Sequence, residues 1–128
     1  MKNFVYFQPN KKDLKDDYGD CAVRALCKVL DKTWIEVFDL LVEKARVSQC
    51  MPNGKEAYAG VLKDFGFVYH GVSNKKGTTR PLVKQFAKQT QAPAVARTAH
   101  HLTACVDGKF YDTWDSGDRS MYGYWIKE

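Results

Sequence analysis

No apolar run in the 128-residue chain approaches the roughly 20 residues of a membrane-crossing helix, so no such helix is expected. The opening residues, Met1 to Asn10, lack the charged and then apolar blocks of a signal peptide, which makes the cytoplasm the expected location. No basic run exceeds two residues, and the formal charge of +5, from 20 Lys+Arg against 15 Asp+Glu, is spread along the whole chain. That is weak ground for a nucleic-acid partner. No C-x-x-C pair occurs among Cys21, Cys27, Cys50 and Cys105, whose gaps of six, twenty-three and fifty-five residues are irregular. Neither a zinc knuckle nor a redox pair is indicated, and no metal or other cofactor is expected. Repeats, low-complexity tracts and linkers are absent too, so residues 1–128 are read as a single domain. A chain of this length removes about two-thirds of its unfolded surface from water and needs no disulfide to hold a core. In a reducing compartment the four cysteines are then free thiols that need another explanation.

What is present divides into a helical first half and a mostly extended second half, which predicts an α+β architecture. Asp20 is placed to cap a helix from Cys21 to Leu30, with Val23, Leu26, Cys27 and Leu30 on its apolar stripe. Thr33 and Glu36 form a capping box for a second helix that buries Trp34, Val37, Phe38, Leu41 and Ala45. Asn53 and Glu56 repeat that signal before a third, with Ala57, Val61, Leu62 and Phe65 inward and Gly66 as its stop. Phe67 to Val72 reads as a strand and Ser73 to Thr78 as a loop. A fourth helix is expected with Thr79 as cap and Pro81 in its first turn, burying Leu82, Val83 and Phe86. Beyond Pro93 the runs Ala94 to Thr98, His101 to Val106, Lys109 to Trp114 and Met121 to Ile126 read as strands. Asp107-Gly108 marks a hairpin between the second and third of these, because a type I′ turn needs positive φ at both central positions.

One cysteine has a mechanism attached. In the first turn of a helix, unpaired backbone N–H groups and the helix dipole favour an anion, and the thiolate is the nucleophilic form of cysteine. Cys21 is expected there, and the same N–H groups would donate to an oxyanion formed beside its sulfur. The alternative is that Cys21 is a small apolar residue at a helix start. Cys27 lies on the apolar stripe and is read as core, while Cys50 and Cys105 gain no role.

A thiol nucleophile needs a base, and the chain offers His70, His100 and His101. His70, before Gly71, is read as a surface residue. With a two-residue turn at Asp107-Gly108, His101 faces Trp114, Thr103 faces Asp112 and Cys105 faces Phe110, so that His101, Thr103 and Asp112 share one face. Asp112 is then a diagonal neighbour of His101, at a Cβ separation of roughly 7 Å. The same register pairs His100 with Asp115 on the other face, and a bulge or longer turn would exchange the two. The aromatics Trp114, Tyr122, Tyr124 and Trp125 have two readings, as walls of a substrate cleft or as packing of the last strands.

A cysteine opening a helix, a later histidine opening a strand and an Asp on the next strand resembles the papain-like cysteine peptidases. His101-Leu102-Thr103-Ala104-Cys105-Val106 is similar to that family's His-x-x-Ala-x-Val strand, and Tyr111-Asp112-Thr113-Trp114 to its Asn-Ser-Trp segment, with Asp for Asn. Together with Gly19-Asp20-Cys21-x-x-Arg24-Ala25, these segments resemble small bacterial and phage members of the superfamily, related to the bacteriocin-processing peptidases. The resemblance implies N-terminal helices packed on a C-terminal antiparallel sheet. It also implies Cys21 as nucleophile, His101 as general base and Asp112 as the residue that orients the imidazole, acting on a protein or peptide substrate. The family's oxyanion-hole Gln, five or six residues before the cysteine, is missing: Asp16 and Lys15 stand there, and Gln8 lies thirteen residues upstream. Lys15, Tyr18 or the backbone N–H of Cys21 are the candidates to replace it. Peptide or isopeptide cleavage is the leading expectation, with amide hydrolysis of another kind, deamidation or acyl transfer on the same scaffold behind it. The rival from another class is a non-catalytic binding protein of this fold, phage- or mobile-element-encoded, that blocks a host factor.

Overall fold

A computed structural model describes residues 2–12, 19–73 and 79–128. Among these the chain runs through β1 (Phe4–Tyr6), α1 (Cys21–Leu30), α2 (Trp34–Ser48), α3 (Lys55–Asp64), β2 (Phe67–Gly71), α4 (Val83–Gln89), β3 (Ala94–Thr98), β4 (His101–Val106), β5 (Lys109–Asp112) and β6 (Gly123–Lys127). The class is α+β, with four helices and one six-stranded sheet in the order β1-β5-β4-β3-β6-β2. No helix among the described residues is long and apolar enough to cross a membrane.

The sheet is mixed, which corrects the antiparallel expectation. β1 pairs in parallel with β5, matching Phe4 to Phe110 and Tyr6 to Asp112, while the other pairings are antiparallel. A three-residue strand has too few side chains for a periodic pattern, and its pairing depends on an edge that only the folded hairpin supplies.

Strand alternation divides the core between the two faces. Val95, Leu102, Ala104 and Trp125 face α1, α2 and α3, whose Leu26, Val37, Leu41, Ala57 and Leu62 are fully buried against them. Ala94, Ala96, Cys105 and Phe110 point the other way, toward Val83 and Ala87 of α4 and Met121. The Thr33–Glu36 capping box forms as expected. On α2, however, only Val37, Leu41 and Ala45 are buried, while Trp34 is half-buried and stacks on exposed Phe38.

Two helix starts differ from expectation. A turn closed by Gly54 N–H donating to Met51 O (2.8 Å) makes Gly54 the N-cap of α3, so Asn53 stands outside the helix. α4 starts only at Val83, because the residues before it are drawn into extended pairing: Leu82 bridges Ser120, and Pro81 O accepts from Met121 N–H at 3.0 Å. Gln85 Oε1 then accepts from Leu82 N–H at 3.0 Å.

Gly123, opposite Gly71 on β2, lies where a Cβ would overlap the Tyr69 phenol and sit 2.9 Å from the His70 carbonyl oxygen. Backbone cannot yield as a side chain can, so Gly123→Ala is expected to destabilise the fold by about 1–3 kcal/mol, read by urea unfolding.

Candidate active site

α1 begins at Cys21, which places this half-exposed thiol in the first helical turn. Asp20 occupies the N-cap position but its side chain caps nothing, contrary to the sequence expectation. Its carboxylate turns instead to Arg24, one helical turn on, with which it forms a buried ion pair, and to Trp34 Nε1–H, which donates to it at 3.1 Å. The first-turn N–H groups thus receive nothing from Asp20.

Arg24 reaches a second carboxylate. Its Nη2 lies 3.6 Å from Asp112 Oδ1 at the end of β5, with both side chains buried. Sequence reading placed Arg24 in a motif but gave it no partner, since a helical arginine is ordinarily a surface residue. Its Nε is buried without an acceptor among the described residues.

The β4–β5 hairpin has the register computed from a two-residue turn, with Cys105 opposite Phe110 and φ positive at Asp107 (52°) and Gly108 (80°). His101 and Asp112 therefore share a face, and Asp112 Oδ2 accepts from His101 Nε2 at 2.6 Å. The same oxygen accepts from Thr103 Oγ1 at 2.9 Å and from Ser116 Oγ at 2.7 Å, while Oδ1 accepts from Thr113 N–H at 2.8 Å. Ser116, fully buried, left no trace in the sequence; it lies in the loop after β5, where no periodicity operates.

The rival pairing of His100 with Asp115 does not form. His100 sits at φ 54° in the turn between β3 and β4 and is exposed, and β5 ends at Asp112, before Asp115 could pair. His70 is exposed as expected, 3.3 Å from Glu128 and stacked on Tyr124.

With Nε2 held by Asp112, the Nδ1 edge of the His101 ring is left unclaimed by that carboxylate, and Cys21 lines the same cleft close enough to act on the imidazole electrostatically. Burial pushes the His101 pKa down, but the interactions with Asp112 and Cys21 outweigh it and the net value rises from 6.5 to about 9. For Asp112 burial pushes upward, and the His101, Ser116 and Thr113 contacts hold the carboxyl below its ordinary range. Cys27 and Cys105 behave oppositely to a nucleophile. Burial, with a smaller contribution from the Asp20 charge, pushes Cys27 up to about 12, and burial also raises the fully buried Cys105.

Cys21 and His101 open onto a cleft of about 600 Å³ whose walls include Asn53, Lys55, Tyr58, Arg97 and Tyr122. The four aromatics separate: Tyr122 lines this cleft, Trp125 is buried core, Tyr124 packs with Phe86, and Trp114 lies against the His101 ring at 4.9 Å without lining the cleft. Lys15, Asp16 and Tyr18 fall outside the described residues. Gln8 follows β1, and its Oε1 accepts from Asn10 N–H at 3.0 Å. Asn53 is the one side-chain amide on the described cleft wall. Among the described residues no group of His, Cys, Asp or Glu is arranged to hold a metal ion.

Comparisons of the chain with protein-family models, with curated proteins and with solved structures find no match, so its chemistry has to be read from this geometry.

Removing Arg24 would strip the buried Asp20 carboxylate of its ion-pair partner and take a second cation from the buried Asp112. Arg24→Met is expected to cost about 3–5 kcal/mol in urea unfolding, with Arg24→Lys recovering part of it. A histidine whose folded pKa is raised contributes stability that is complete below its unfolded value and lost as pH passes its folded value. Unfolding free energy should therefore fall between pH 6.5 and about 9, and His101→Gln should flatten that segment of the pH profile.

Proposed function

We propose that the chain is a papain-like cysteine hydrolase that cleaves peptide or isopeptide bonds. The observation that supports this reading best is the Asp112–His101 hydrogen bond, with the imidazole and Cys21 together on the wall of an open cleft. An aspartate holding Nε2–H leaves Nδ1 for the thiol, and an imidazole whose pKa is raised keeps the proton that it takes from it.

In the first step, with the Cys21 proton already held on His101 Nδ1, the sulfur bonds to the substrate's carbonyl carbon as the carbonyl electron pair moves onto oxygen. The resulting oxyanion faces the first-turn N–H groups of α1, which Asp20 leaves uncapped, with the Asn53 amide as the side-chain donor in reach of the cleft. As the tetrahedral species collapses, the imidazolium gives its proton to the departing amine and a thioester remains on Cys21. Water then attacks the thioester, His101 takes its proton, and the carboxylic acid leaves as the thiol re-forms. Asp112 stays ionised throughout. Arg24, Thr103 and Ser116 touch no reacting atom and are positioning residues.

Iodoacetamide labelling with mass-spectrometric readout at pH 6 to 7 tests the reading. Cys21 should react far faster than Cys27, Cys50 or Cys105, and His101→Ala should reduce that rate by at least about 100-fold. Four thiols of equal sluggishness would leave a binding protein without catalysis as the better account. With a cleaved peptide in hand, kcat/KM should fall on an alkaline limb near pH 9, where His101 loses the proton that the leaving amine needs.

A further inference from the structure

The cleft beside Cys21 has a sign. Lys55 at the start of α3 and Arg97 on β3 both line it, and no Asp or Glu does so among the described residues. Neither cation has an ion-pair partner among those residues. Arg97 Nη1 instead donates to the Tyr69 hydroxyl at 3.1 Å, and Lys55 Nζ lies 5.9 Å from the centre of the same ring. The guanidinium of Arg97 is also 6.0 Å from the Tyr122 ring, which Arg80 flanks at 4.5 Å. Two tyrosines thus gather three cations, two of which, Arg97 and Lys55, stand on the cleft wall that Cys21 and His101 share. Tyr58, on the same wall, is within electrostatic reach of both Arg97 and Cys21.

Charge of one sign in a concave site focuses the field and raises the local concentration of the opposite charge. A guanidinium presents paired donors that match a carboxylate. From this arrangement, and resting on the hydrolase reading above, we infer that the substrate is a peptide carrying a carboxylate near the acyl group that Cys21 attacks, with Arg97 and Lys55 as the residues that select it. A cavity of about 600 Å³ holds a short peptide segment. The carboxylate has two sources, an Asp or Glu side chain beside the scissile bond or the free end of the peptide.

The full chain and two small probes test the assignment. Iodoacetate is anionic and iodoacetamide neutral, so the ratio of their rates at Cys21 reports the field of the cleft and cancels changes in the thiol itself. That ratio should fall about tenfold at low salt in Arg97→Glu and in Lys55→Glu, in the same direction but less in the Gln variants, and remain unchanged in Lys109→Glu at the exposed hairpin tip. Protection of Cys21 against iodoacetamide then separates the sources: an amidated tetrapeptide containing Glu protects if a side chain is read, and a neutral tetrapeptide with a free C-terminus protects if the chain end is read. A ratio that stays put in both Glu variants overturns the inference, as does equal protection by a neutral amidated tetrapeptide. Equal protection by inorganic phosphate makes the site a general anion trap and also overturns it. A Cys21 that fails to outpace the other thiols toward iodoacetamide overturns the hydrolase reading itself, an outcome distinct from the others.

Discussion

Asp20 and Asp112 come from opposite halves of the chain, and each alone would be a carboxylate taken out of water at a cost of several kcal/mol. Arg24 answers both. Its place four residues after Asp20 is set by one turn of α1, and its reach to Asp112 crosses from the helix to the end of β5. Because a guanidinium does not give up its charge, Arg24 stays cationic between them, and its second carboxylate is met only when helix and strand come together. Cys21 is the residue next to Asp20, and His101 is bonded to Asp112. The thiol and its base are thus brought together by the same buried charges that hold α1 against the hairpin.

This use of Asp20 also accounts for the open helix start. A capping aspartate would satisfy the N2 or N3 amide and place a negative charge where the proposed mechanism forms an oxyanion. Turned toward Arg24 and Trp34, its side chain caps none of them. The contrast between Cys21 and Cys27 follows from position on one helix. Six residues further on, Cys27 is surrounded by core, and burial together with the nearby Asp20 charge disfavours its thiolate.

Much of the His101–Asp112 pairing was legible because hairpin register is arithmetic. Asp107-Gly108 names its own turn type, and from there the shared face of His101, Thr103 and Asp112 follows. The choice between His100 and His101 was not legible. It depends on a second tight turn, at Ala99-His100, where neither residue is a turn former and His100 accepts a positive φ only because the flanking strands pair in full. The roles of Arg24 and Ser116 were hidden for a different reason: a residue's long-range partner is not written in its own neighbourhood. Helix starts failed where tertiary pairing overrode local signals, as at Leu82 and Ser120.

The parallel strand β1, invisible to pattern reading, bears on the same carboxylate. Phe7 N–H donates to Asp112 O at 2.8 Å, and Tyr6 stands opposite Asp112 in the register. On the other side of β5 the pairing with β4 runs as far as Tyr111 opposite Ala104. The Asp112 backbone is therefore held from the β1 flank, and its side chain by His101, Thr103, Ser116, Thr113 and Arg24. A carboxylate with this many donors has little freedom to rotate, and a fixed carboxylate holds the imidazole in one plane against Trp114. Had β5 been the sheet edge, the last residue of a four-residue strand would fray, and the direction of Nδ1 toward Cys21 would vary with it. In this molecule the three residues of β1 thus serve the site through the backbone, by making an interior strand out of what would otherwise be an edge.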